Sequence, residues 1–216
     1  MLASRFRVAS PLCRPLIRTV STLSSNPDIK VIPNPLSPSS SYLLTYLDTQ
    51  PPNPSLAVGT TTEIPPTPRS FTQNGRFLSI LDEVLARHAH EDADLRAAAQ
   101  AFASPAGSNL GGGGRRRRGT GGAGGASDQG GAGGGGAGGW VHLSDRRNPP
   151  DFGRIAWPED IFGSIQVDGQ GNIEGTFQPS GTYRILTNEG ILGLSPFLTQ
   201  KLIARLKDED RKERIV

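Results

Sequence analysis

Residues 111–139 hold most of the chain's 28 glycines, broken by alanines and by the run Arg115, Arg116, Arg117 and Arg118. Ordering a backbone costs about 1–2 kcal/mol per residue, and a stretch with almost no side chains has nothing to bury in return. The composition therefore predicts a flexible linker over 106–139. Whatever folds must be built from the two flanking parts. With 18 prolines beside those glycines, over a fifth of the 216 residues favours turns and loops. The expected core is correspondingly small.

Residues 140–216 carry the densest folding signals. Residues 140–143 alternate as a short strand, and Trp157, Pro158, Glu159 and Asp160 read as one helical turn. Strands are expected at 162–167, 172–177 and 182–187, with a hairpin turn at Asp168, Gly169, Gln170 and Gly171. Ser195 before Pro196 marks the start of a helix whose buried stripe is Leu198, Leu202 and Leu206. Its charged end, 207–214, should fray. The pattern predicts an α+β fold: a small antiparallel meander with a C-terminal helix, tethered by the linker to a helical and Pro-rich arm.

That arm has two parts. Residues 26–73 contain Pro33, Pro35, Pro38, Pro51, Pro52, Pro54, Pro65, Pro66 and Pro68, which favours extended or polyproline backbone and disfavours central strands. One short helix is expected there, capped by Ser41 and carrying Tyr42, Leu43, Tyr46 and Leu47 on one side. Residues 74–105 read as helical. Phe77, Ile80, Leu81, Val84, Leu85 and His88 form a single stripe, and Asp94 is placed to cap a second, Ala-rich helix. The stripe must be buried, either on residues 140–216 of the same chain or on a partner.

Charge divides unevenly. Of 23 Lys and Arg, four (Arg5, Arg7, Arg14 and Arg18) lie in residues 1–20, which hold no acid; the remainder has 19 basic against 20 acidic residues. An Arg-rich, Ser-rich, acid-free start predicts a mitochondrial transit peptide over 1–25, cut after Val20, and a location in the matrix. The single cysteine, Cys13, falls inside it. Once it is removed, no cysteine remains for disulfides, thiolate metal sites or thiol nucleophiles. No apolar run reaches the length of a membrane-spanning helix.

Several motifs resolve to turns or linkers. Gly114 to Thr120 has the outer spacing of a phosphate-binding loop without its lysine, and neither a strand nor a helix flanks it. The four arginines inside it are the candidate RNA contact, since mobile cations follow phosphates. No aromatic residue accompanies them for base stacking. Asp168, Gln170 and Asn172 imitate half a calcium loop, but Ile173 and Pro179 occupy the positions that need Gly and Glu. His88 and His90 lie two apart on a helix and point to different faces. No metal or cofactor is expected.

The densest polar constellation is His142, Asp145, Arg146, Arg147, Asp151, Arg154, Glu159 and Asp160, beside Trp157. Carboxylates next to arginines serve acid–base chemistry or anion binding, and they also fix loops by pairing across turns. This is the candidate binding surface.

Residues 140–206, the run Leu56, Ala57, Val58, Gly59, Thr60, Thr61, Thr62 and the stripe at 77–88 resemble proteins of fungal genomes predicted to be mitochondrial, which have no assigned activity. The resemblance implies location and domain limits and no reaction. The leading expectation is a non-enzymatic matrix protein working in a larger assembly, such as the mitochondrial ribosome or a respiratory complex. The alternative is a small hydrolase or anion-binding enzyme centred on Asp145 to Asp160.

Overall fold

A computed structural model describes residues 21–37, 41–103, 138–151 and 154–215. It is an α+β protein of antiparallel sheets and helices, as the patterning predicts. The linker arginines Arg115, Arg116, Arg117 and Arg118, the start of the chain and Phe152 lie outside the described residues.

The segment expected to be an extended arm is a sheet. Strands β1 (Ser21–Thr22), β2 (Lys30–Pro33), β3 (Tyr42–Thr45), β4 (Gly59–Thr61) and β5 (Phe71–Gln73) form a five-stranded antiparallel meander in chain order. The prolines punctuate this sheet. Pro33 closes β2, Pro51, Pro52 and Pro54 lie between β3 and β4, and Pro65, Pro66 and Pro68 lie between β4 and β5. Nearly all of them therefore fall where no ladder N–H is needed. The expected helix at Tyr42 to Leu47 is instead strand β3 and its exit. Leu43 and Leu44 are both fully buried, one on each face of the pleat. A short apolar run of this kind reads equally as strand or helix until its neighbours are known.

Helix α1 (Gly75–His88) is capped by Asn74, whose Oδ1 accepts from the Arg76 N–H at 3.0 Å. Its expected stripe is buried from Phe77 to Leu85. The partner surface is its own chain, chiefly the C-terminal helix α3 (Pro196–Ile215). Leu44, Phe77, Leu81, Val141, Ile165, Leu198 and Leu202 belong to one continuous core. Residues on both sides of the glycine-rich stretch thus share it, which enlarges the apolar volume either part would have alone.

Helix α2 (Ala93–Ala103) is capped by Asp92 and not by Asp94. The Asp92 Oδ1 accepts from Asp94 N at 2.9 Å and Leu95 N at 3.4 Å. Asp94 is one residue inside the helix, where its carboxylate faces outward. Ser195 caps α3 as expected, its Oγ accepting from Leu198 N at 3.2 Å. The charged end of α3 does not fray. Asn53 Nδ2 donates to Glu213 at 2.6 Å, and Arg214 donates to Asp210 at 2.7 Å and to the Pro51 carbonyl at 3.0 Å. The Asn53 and Pro51 anchors come from residues 50–55, so the helix sequence alone carries no trace of them.

The second sheet runs β6 (Gly139–Ser144), β7 (Ile161–Val167) and β8 (Gln178–Pro179), all antiparallel. Gly163 on β7 has Phe177 lying over it; a Cβ there would sit 2.5 Å from the ring, so only glycine fits. The hairpin turn forms as predicted, with Asp168 Oδ1 accepting from Gln170 N at 2.8 Å and Asn172 N at 2.7 Å. The strand expected at 172–177 is reduced to one bridge between Ile173 and Val167. Glu174 N and Gly175 N both converge on the Gln166 carbonyl, which breaks the alternation of the ladder. The strand expected at 182–187 shortens to β9 (Leu186–Thr187), which pairs with β10 (Gly190–Ile191). Its first half is diverted to the polar cluster described next.

Candidate functional site

Three members of the predicted constellation meet in the interior. Asp145 follows the end of β6, Arg147 opens the next loop, and Asp160 ends the short 3-10 turn Pro158–Asp160 that leads into β7. Their side chains are 0%, 3% and 1% exposed. Burying charges without partners costs several kcal/mol each, so the geometry around them decides their meaning.

Arg147 uses every donor it has. Nε donates to Asp160 Oδ1 at 2.7 Å. Nη1 donates to the carbonyls of Ile185 and Gly190 at 2.9 and 3.4 Å. Nη2 donates to the carbonyls of Glu159 and Arg184 at 2.9 and 2.8 Å. A guanidinium carries five N–H groups, and five acceptors take them. The Tyr183 ring lies 5.4 Å from the guanidinium carbon and 4.5 Å from Phe162, closing one side with aromatic surface.

The carboxylates are equally occupied. Asp145 Oδ1 accepts from the N–H groups of Arg147 and Gly193, both at 2.9 Å, and Oδ2 from the Tyr183 hydroxyl at 2.8 Å. Asp160 accepts from Arg147 and, at 3.4 Å, from Asn148. Burial pushes the Asp145 carboxyl up, opposed by the Arg147 charge and by the hydrogen bonds from Arg147 N, Tyr183 and Gly193 N. Burial also raises the Tyr183 phenol well above its usual value, helped by the Asp145 charge. The phenol therefore remains a donor at neutral pH.

The cluster closes a loop. Asp145 N donates to the Asp160 carbonyl at 2.7 Å, so the two stems of residues 147–160 are joined by backbone and ion pair together. Loops whose ends are joined in this way are frequently functional. Ala156 is buried and roots the far side, while Ile155 and Trp157 flank it at 51% and 69% exposure. Trp157 holds an extended backbone, fixed by the following proline and by its carbonyl accepting from Asp160 N at 2.8 Å.

The other predicted residues stand apart from this centre. His142 is on β6, its Nδ1 2.7 Å from Ser164 Oγ across the ladder, and partial burial lowers its pKa. Arg146 grips Asp94 of α2 at the surface through Nε and Nη2, at 2.7 and 3.1 Å. Asp151 and Arg154 form a 4.0 Å surface pair, both highly exposed. The Glu159 carbonyl serves Arg147, and the residue is otherwise exposed. Tyr183, Asn148 and Gly193 complete the cluster, and the sequence reading missed all three. Tyr183 sits in a segment read as a strand, where an aromatic residue needs no further explanation.

Among the described residues, no group of three His, Cys, Asp or Glu is placed to hold a metal ion, and no helix is long and apolar enough to cross a membrane. Compared with known protein families, curated proteins and solved structures, the chain matches none of them.

Proposed function

We propose that this is a non-enzymatic protein of the mitochondrial matrix that docks into a larger assembly through the loop clamped by Arg147 and Asp160. The observation that carries this reading is the exposure of Ile155 and Trp157 at 51% and 69%, on a loop whose base holds a buried ionic cluster. A buried ion pair is a weak source of stability, and its better-attested use is to fix one conformation. Here it fixes the presentation of two large apolar side chains, one of them the residue type most enriched at binding hot spots. Anion binding by Arg147 would require it to abandon one of five internal acceptors.

The acid-free, arginine-bearing residues 1–20 support the matrix address. A mitochondrial ribosome or a respiratory-complex intermediate fits as host, and Arg115, Arg116, Arg117 and Arg118 are the residues for an RNA contact within it. The test is affinity purification of the tagged full-length protein from isolated mitochondria, beside a variant with Ile155→Ala and Trp157→Ala. The expected result is a defined set of co-purifying subunits that the double variant loses. Recovery of the protein outside mitochondria, or an unchanged set with the variant, sinks the proposal.

A further inference from the structure

On the first sheet, Lys30 and Ile32 alternate with Val31, which points into the core, so they stand on the opposite face. There they line a cleft of about 360 Å³ with Asp48, Thr49, Pro51 and Pro52. That volume lies in the range of roughly 300–1,000 Å³ common for small recognition sites. The wall formed by residues 50–52 is held in place, because Arg214 of α3 donates to the Gln50 and Pro51 carbonyls at 3.4 and 3.0 Å. Ile32 and the two proline rings supply apolar surface. The Lys30 ammonium, 19% exposed, pairs with the Asp48 carboxylate, which is 79% exposed and retains free lone pairs. Such a cleft suits a flat aromatic ring that carries one N–H: Ile32 and the proline wall supply apolar contact, the carboxylate can accept its proton, and the ammonium beside it favours a π-system.

The chain owns such a ring. Trp157 projects from the clamped loop at 69% exposure, and no described residue of that loop lines the cleft. Knob and hole therefore do not meet within one molecule. We propose that Trp157 of one copy inserts into the Lys30–Ile32–Pro51–Pro52 cleft of a second copy, its indole N–H donating to Asp48. The pairing rests on the reading of the loop as a docking element and names its occupant as the same chain. Because knob and hole are different surfaces, the contact is heterologous. A bound pair keeps one free knob on one copy and one free hole on the other, and association continues beyond the dimer until a ring closes.

Sedimentation velocity on the full-length chain tests this with two variants at exposed positions. Trp157→Ala removes the knob, and Asp48→Lys removes the acceptor while placing a second ammonium at the cleft. Wild-type protein should show species larger than a dimer that grow with concentration. Each variant alone should be monomeric, with association weakened about 30-fold or more, as for a central tryptophan hot spot. An equimolar mixture of the two should stop at a heterodimer, since only one knob and one hole remain competent. Circular dichroism and thermal melting of each variant establish that it is folded. A monomeric wild type up to its solubility limit overturns self-pairing, as does association that survives Trp157→Ala. In either case co-purification from mitochondria still judges the docking role separately.

Discussion

The Asp92 carboxylate accepts the hydroxyl of Ser195, 103 residues further along the chain, and each of the two residues caps a different helix. Asp92 holds the first turn of α2 and Ser195 that of α3, so one hydrogen bond ties two helix N-termini across the glycine-rich stretch. Both residues are buried, at 1% and 7% exposure. Asp92→Ala should therefore cost more than an ordinary cap, about 2–4 kcal/mol, because it orphans donors on both helices. Urea unfolding measures this. A loss below about 1 kcal/mol would mean that the two caps are independent.

Arg147 gives a sharper case. Arg147→Met leaves Asp145 and Asp160 buried without their counter-charge and strands four carbonyls that had taken its N–H groups. Breaking a buried pair from one side costs about 3–5 kcal/mol. Arg147→Lys should recover little of it, since three ammonium protons cannot serve five planar acceptors. If lysine restored the wild-type melting temperature, the fork geometry would be irrelevant and the cluster a simple charge pair.

What the sequence made legible was periodic and local. The α1 stripe, the Ser195–Pro196 start of α3, the turn at Asp168 and the strands β6 and β7 all depend on neighbours within a few residues. The first sheet was missed because its prolines mask strands only two to four residues long, whose identity rests on pairing at long range. Within the polar cluster the sequence supplied Asp145, Arg147 and Asp160 by proximity. It offered no means of separating them from Asp151 or Arg154, because burial distinguishes these residues and burial depends on Tyr183 and Gly193. The anchoring of the α3 end was hidden for the same reason.

The far end of α3 should respond to acid. Glu209 is held at about 2 by hydrogen bonds from Lys212 and Arg205, and Glu213 is lowered by Asn53, Ser55 and Arg76. A carboxylate depressed in the folded state contributes stability that is present above its unfolded value near 4.5 and lost as pH falls through its folded value. The last turns of α3 should therefore loosen between about pH 4.5 and 2, ahead of the buried core. Amide exchange resolved along the helix reads this directly. Glu209→Gln should make that end mobile at neutral pH; an unchanged exchange pattern would show that the charges do not hold it.

The ends of the glycine-rich stretch lie close together. Ala103 closes α2 beside Gly171, and Gly138 lies beside Val167 and Asp168 at the same hairpin. A short connection can therefore span them, and loop closure entropy changes by only about 0.6 kcal/mol per halving of length. Replacing residues 108–134 with a link of a few Gly and Ser residues should leave the melting temperature within a few degrees. A large fall would mean that this stretch contributes contacts to the fold.

Leu81 lies at the middle of the α1 stripe with no exposed surface, in the shared core that also holds Leu198 and Leu202 of α3. A carboxylate there replaces an apolar side chain in the close-packed core. Leu81→Asp should destabilise the isolated protein by about 3–5 kcal/mol, combining lost apolar burial with an unpaired buried charge. Glu83, on the outer face, pairs with Arg87 and Arg205 at 3.0 Å each, so Glu83→Ala should cost no more than about 1 kcal/mol. Thermal unfolding of both variants separates the two faces of the helix. An isolated protein that tolerated Leu81→Asp would place the α1 stripe against some surface other than its own core. The strands, α1 and α3 would then not share one interior.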